Sequence, residues 1–152
     1  MKNLVWIILV VCVFIASWLV GRLLQQKQPQ TFQPLQIPSC NPVAAPCVVK
    51  MQDAELVVKL FPPVIVMSPF KIQVASDADV SAVHLSFRMK NMEMGMQRYA
   101  LIKNADGQWQ TDVVLPVCSL GRSDWTLTLE TEYAQQVWRG ELEFTADSRV
   151  LD

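Results

Sequence analysis

The stretch Asp124-Trp125-Thr126-Leu127-Thr128-Leu129-Glu130-Thr131-Glu132-Tyr133-Ala134-Gln135-Gln136-Val137-Trp138-Arg139-Gly140-Glu141-Leu142-Glu143-Phe144 decides the fold class. Its first half puts Trp125, Leu127, Leu129 and Tyr133 on one side of an extended chain and Thr126, Thr128, Glu130 and Glu132 on the other. Its second half sets Trp138, Leu142 and Phe144 opposite Val137, Arg139, Glu141 and Glu143. Successive side chains leave opposite faces of a pleated backbone, so this period of two marks half-buried strand. Ala134-Gln135 joins the two runs in a tight hairpin.

Working outward, Ala82–Met89 repeats the pattern, with Val83, Leu85, Phe87 and Met89 opposite His84, Ser86 and Arg88. Further short runs at Leu56–Phe61, Phe70–Ala75, Gln97–Lys103 and Gln108–Leu115 are bounded by Pro, Asp, Asn and Gly. Asn104-Ala105-Asp106-Gly107 is a second tight connection, because its glycine can take a positive φ. No 3.6-residue pattern occurs outside the N-terminal segment. Seven or eight strands in about 100 residues predict an all-β, immunoglobulin-like antiparallel sandwich. A small barrel satisfies the same pattern. Trp109, Trp125 and Met89 are expected in its core.

Ahead of this body, Leu4–Val20 is a run of seventeen residues, all apolar except Ser17, between Lys2 and Arg22. As a helix it covers roughly 25 Å, near the short end of what spans a bilayer. Residues 1–24 therefore read as one transmembrane helix. A cleaved signal fits less well, since a cut after Gly21 or Ala16 leaves Leu19 or Phe14 at the −3 position. Residues 25–39, rich in Gln and Pro, read as a partly extended linker, and residues 40–152 as a single domain.

Cys40 and Cys47 stand in the Pro-rich stretch Pro38–Cys47 and read as a small disulfide loop. Such a bond persists in an oxidising compartment, which places the body in the periplasm behind an inner-membrane anchor. Cys118 is the third cysteine outside the anchor, and three cysteines allow three pairings. From Gln28 to Asp152 ten basic residues face fourteen acidic ones, a net of −4, with no basic stripe for nucleic acid.

The most unusual local feature is Met89-Lys90-Asn91-Met92-Glu93-Met94-Gly95-Met96, which holds four of the seven methionines. In an extended chain Met92, Met94 and Met96 share one face. Thioethers are soft, neutral donors, so converging sulfurs suit Cu(I), with Cys118 as a further ligand. Met also packs into irregular gaps and makes adaptable protein contacts, and the spacing fits that reading equally. His84 is the sole histidine, which leaves zinc sites and His-based triads without support. No Gly-rich phosphate loop occurs, and no enzymatic activity is expected.

Asn91-Met92-Glu93-Met94-Gly95, then Tyr99, then Gly107-Gln108-Trp109 and a closing strand, resembles the extracytoplasmic domains called YtkA-like and FixH-like. The resemblance covers about a third of the chain. It implies an immunoglobulin-like sandwich on a single membrane anchor, with a part in copper handling or in assembly of haem–copper oxidases. Met92, Met94 and Gly95 are the matching motif positions. Leu115-Pro116-Val117-Cys118 and the Cys40/Cys47 pair depart from the pattern and look like a separate group of anchored Gram-negative proteins. The sequence thus leads to a non-enzymatic, Cu(I)-binding or oxidase-assembling protein. The alternative is an interaction module of a membrane complex that uses the Met-rich turn as its contact.

Overall fold

The computed structural model describes residues 6, 11–18, 31–90, 97–117 and 121–147. It divides into two units, Met1–Gln30 and Thr31–Asp152. In the first, Trp6 and residues 11–18 are helical and exposed. Among the described residues no helix is long and apolar enough to cross a membrane, and the rest of the expected anchor lies outside them.

Among its described residues the second unit contains ten strands: β1 (Phe32–Pro34), β2 (Cys47–Met51), β3 (Ala54–Leu60), β4 (Phe70–Ser76), β5 (Ala82–Met89), β6 (Gln97–Ala100), β7 (Ile102–Lys103), β8 (Trp109–Val113), β9 (Asp124–Tyr133) and β10 (Gln136–Thr145). They form two five-stranded sheets, ordered β1-β10-β9-β5-β6 and β2-β3-β4-β8-β7, in a sandwich-like all-β fold. The alternating runs behave as the pattern demands. Across β5, β9 and β10 the inward residues align in layers: Met89–Trp125–Phe144, Phe87–Leu127–Leu142, Leu85–Leu129–Gly140 and Val83–Thr131–Trp138. Val49, Met51, Leu56, Val58, Leu60, Ile72 and Val74 of the second sheet complete the same core. The one hydroxyl in these layers, Thr131, donates to the Ala82 carbonyl at 3.2 Å, so its burial leaves no unpaired oxygen. Trp125 is buried, whereas Trp109 is only half-buried against the core, with the Lys103 ammonium 5.7 Å from its ring.

Two features correct the expected seven- or eight-strand antiparallel plan. The run Gln97–Lys103 is not one strand: Leu101 is buried, β6 pairs with β5, and β7 pairs with β8 in the other sheet. The sheet also begins inside the segment read as linker, since β1 pairs in parallel with β10. The chain then changes sheets here as well. Leu35 donates to the Arg139 carbonyl, and Gln36 exchanges two backbone hydrogen bonds with Lys50 on the edge of β2. A Gln- and Pro-rich composition carries no strand pattern of its own, so this pairing is set by the partners it meets.

Gly140 makes that crossing possible. A Cβ there would lie 2.5 Å from Ile37 Cδ1 and 2.8 Å from Leu35 Cβ. The missing side chain in the Leu85–Leu129–Gly140 layer is thus replaced by the incoming segment. Ala134 and Gln135 take φ of 50° and 60°, the two left-handed residues that a two-residue hairpin matching the strand twist requires.

Outside, the first sheet carries a diagonal ladder. Arg88 pairs with Glu141 at 2.7 Å and Lys90 with Glu143 at 3.0 Å, while Glu130 accepts from both Arg98 (3.0 Å) and Arg139. The short Ser86, Thr126 and Thr128 lie beneath, which lets long side chains reach across β9. Arg139 also stacks its guanidinium 3.4 Å from the Phe32 ring and so fastens β1 to the sheet.

Replacing Gly140 by Ala is expected to destabilise the body by about 1–3 kcal/mol, since Leu35 Cβ cannot swing aside as a side-chain tip could. An unchanged urea midpoint would show that the crossing segment is not seated there. Trp125→Ala should cost about 3–5 kcal/mol and Trp109→Ala clearly less. Equal losses in thermal melts would contradict the two burial states.

Candidate functional site

The sandwich has two chemically different ends. At one, the β2–β3, β7–β8 and β9–β10 turns meet the 77–81 crossing. This end is acidic: Asp53, Asp77, Asp79, Asp106 and Glu132 are all exposed there. Its field is visible in Tyr133, whose hydroxyl donates to Asp53 at 3.3 Å. The Asp53 charge, then burial, the hydrogen bond to Asp53 and the Asp77 charge hold that phenol above its ordinary range.

The other end is assembled from the disulfide loop, the 61–69 segment and residues 114–117 and 121–123. Cys40 and Cys47 are bonded, with Cys47 buried in the core. Leu60 donates to the Pro42 carbonyl at 3.0 Å, Met67 to the Leu115 carbonyl at 2.8 Å, and Ala146 to the Ser123 carbonyl at 3.0 Å. Tyr99 of β6 donates its hydroxyl to the Val114 carbonyl at 3.0 Å.

Met92, Met94, Gly95, Met96 and Cys118 lie outside the described residues. The described residues on either side of them belong to this second end. Met89 is buried in the Trp125 layer, and Lys90 is exposed and paired with Glu143. Val117 is exposed, and Gly121 takes a φ of 68° before Arg122 pairs with Asp124. A depression of about 180 Å³ next to Lys90 is lined by Asn41, Asp124, Trp125, Thr126, Glu143, Phe144 and Thr145.

Among the described residues no group of three or more His, Cys, Asp or Glu could hold a metal ion. His84 faces outward, half-buried, directly across from Glu130. Sequence reasoning passed over Met67. It is exposed, held at a φ of 61°, and bonded through its amide to the Leu115 carbonyl, on the segment that leads to Val117. The available signal was its setting, the eleven uncharged residues from Leu60 to Phe70 that include three prolines.

No family model matches this chain, and no curated protein matches it.

The Arg122 hydrogen bond is the main cause that holds the Asp124 carboxyl below 3.8; burial opposes it, and the charges of Arg122 and Lys90 add to it. A carboxyl lowered in this way stabilises the fold above its ordinary pKa, and the contribution is lost as pH falls through the folded value. Asp124→Asn should therefore melt below wild type at about pH 6, with the gap closing as the carboxyl protonates in acid. A gap that stays constant through that range would remove the charge from the explanation.

Proposed function

We propose that this chain is a membrane-tethered, extracytoplasmic, non-enzymatic domain of immunoglobulin-like build that binds Cu(I) or assists assembly of a copper-dependent membrane enzyme. The observation that carries the reading is the concentration of methionines at Met89, Met92, Met94 and Met96 within eight residues. Met92, Met94 and Met96 are the proposed thioether ligands, with Cys118 as thiolate donor and Gly95 relaxing the backbone between them. Thioethers hold Cu(I) without competing for protons, whereas a cysteine binds as thiolate after losing its proton and adds charge neutralisation.

Three observations support the setting. The Cys40–Cys47 bond suits an oxidising compartment. Leu4–Val20 has the composition of a single inner-membrane anchor. Residues 90 and 97, and likewise 117 and 121, flank the proposed ligand segments at the same end of the sandwich. The partial YtkA-like and FixH-like resemblance points to haem–copper oxidases as the recipient.

The second reading is an interaction module of a membrane complex with the Met-rich turn as contact, favoured by the exposed apolar side chains of Met67 and Val117 at this end. Titrating the reduced full chain with Cu(I) against a competing chelator separates the two. The copper reading expects a Met92/Met94/Met96→Leu variant to bind at least about tenfold more weakly, a difference of about 1.4 kcal/mol. Equal binding by both proteins would abandon the thioether site and leave the interaction module.

A further inference from the structure

The outer face of the first sheet has a floor of hydroxyls. Strand pairing sets Glu141, Thr128, Ser86 and Arg98 side by side across β10, β9, β5 and β6. The row on one side is Arg139, Glu130 and His84, and the row on the other is Glu143, Thr126 and Arg88. Two short side chains thus lie inside a ring of mostly long ones. The result is a depression of about 220 Å³ lined by Ser86, Thr128, Arg88, Glu130, Arg139 and Glu141.

The floor is polar and unused. Ser86 and Thr128 are each 8 % exposed, and neither hydroxyl has a hydrogen-bond partner among the described residues. Thr131, on the inner face of β9, has by contrast given its hydroxyl to the Ala82 carbonyl. The rim keeps bonding capacity as well. Arg88 reaches both oxygens of Glu141, at 2.9 and 2.7 Å, through Nη2 alone. Arg139 reaches Glu130 through its own Nη2, while its Nε is buried without a partner. A guanidinium carries five N–H donors in a planar fork and a carboxylate about four lone-pair sites, so each ion pair can bond a third group without parting. A ligand that covers the floor must pair the two hydroxyls, since a buried hydroxyl left unpaired costs free energy.

We propose that this depression binds one ring of a neutral saccharide, as a subsite for a longer glycan. Charge decides against ions. Two arginines are matched by two glutamates on the rim, so an anion drawn to Arg88 and Arg139 meets Glu130 and Glu141, and a cation meets the reverse. The site offers many donors and acceptors without a net charge, the complement of a ring with a hydroxyl on nearly every carbon. Adjacent ring hydroxyls can accept from neighbouring N–H groups of a guanidinium while donating to a glutamate or to a Ser or Thr oxygen. A peptide lacks a foothold. The strands beneath are paired on both sides, so no edge is open here for a further strand, and Phe32, next to the rim, is already stacked against Arg139. The depression is smaller than the roughly 300 Å³ at which pockets for whole small molecules begin, which limits the contact to one ring. Thr126, two residues along β9 and thus about 7 Å away, continues the hydroxyl row into the depression beside Lys90 and Glu143 and gives a second ring a similar floor. This inference involves none of the proposed copper ligands.

The test is a titration of the full chain, held in micelles of a detergent without a sugar headgroup, with glucose and N-acetylglucosamine hexamers, followed by nuclear magnetic resonance of the backbone amides. At least one of the two should shift the amides of Ser86, Thr128 and Arg88 in a saturable way, with millimolar affinity. The double change Ser86→Ala/Thr128→Val should weaken that binding at least about tenfold while the melting temperature holds. Thr128→Val alone, which keeps the side-chain shape, should weaken it at least about threefold, and it decides the matter if the double variant melts early. A galacturonic acid hexamer and a Gly-Ser hexapeptide, as charged and peptide probes, should leave those amides unmoved. No saturable shift with either neutral hexamer, an affinity unchanged by the substitutions, or tighter binding of the acidic or peptide probe at these residues would each overturn the proposal.

Discussion

The sandwich depends on one close approach, the passage of Leu35 and Ile37 over Gly140. Every other inward position of β10 brings its own side chain to the core. At Gly140 the chain supplies none, and a segment from over a hundred residues earlier fills the place. That contact lets β1 lie on the edge of one sheet while Gln36 caps the edge of the other. A similar change of sheets at Leu101 links the opposite edges. Open sheet edges invite association with other chains, and here short crossing segments occupy both sides.

With the edges joined, the two faces of the first sheet serve different ends. Its inner face is a set of aligned apolar layers that supply the stability. Its outer face spends its charge on itself, since Arg88, Lys90, Arg98 and Arg139 are all engaged by Glu130, Glu141 and Glu143. Exposed pairs of this kind add little stability each. Their effect is on recognition, because a face whose charges are already paired offers little to an external ion. The acidic side chains Asp53, Asp77, Asp79, Asp106 and Glu132 are instead gathered at the turns of one end.

Much of this was legible in the sequence, for a physical reason. Ala82–Met89 and Asp124–Tyr133 have the observed bounds because they are central strands with one face in the core, where burial forces alternation. Ala134-Gln135 and Asn104–Gly107 read as turns because short polar connections between such runs have few conformations. The strands β1 and β2 were not legible. β1 is three residues, Phe-Gln-Pro, held by Arg139 and by pairing to β10, none of which is local information. The break at Leu101 was hidden because alternation continues through a change of sheets. At the candidate site the methionine run stood out by composition alone, whereas Met67 did not, since its exposure and φ come from its contact with Leu115.

The parallel pairing of β1 has a mechanical side. The chain reaches Phe32 at the acidic end and runs along β10 toward the other. A pull on the chain ahead of Thr31, where it acts along β1, loads that strand in shear. The backbone bonds of β1, the Arg139–Phe32 stack and the seating of Leu35 must then slip together, whereas a crosswise pull would open them singly. Under such a load the three-residue β1 is the first element to bear tension, and behind it stands the contact of Leu35 and Ile37 with Gly140.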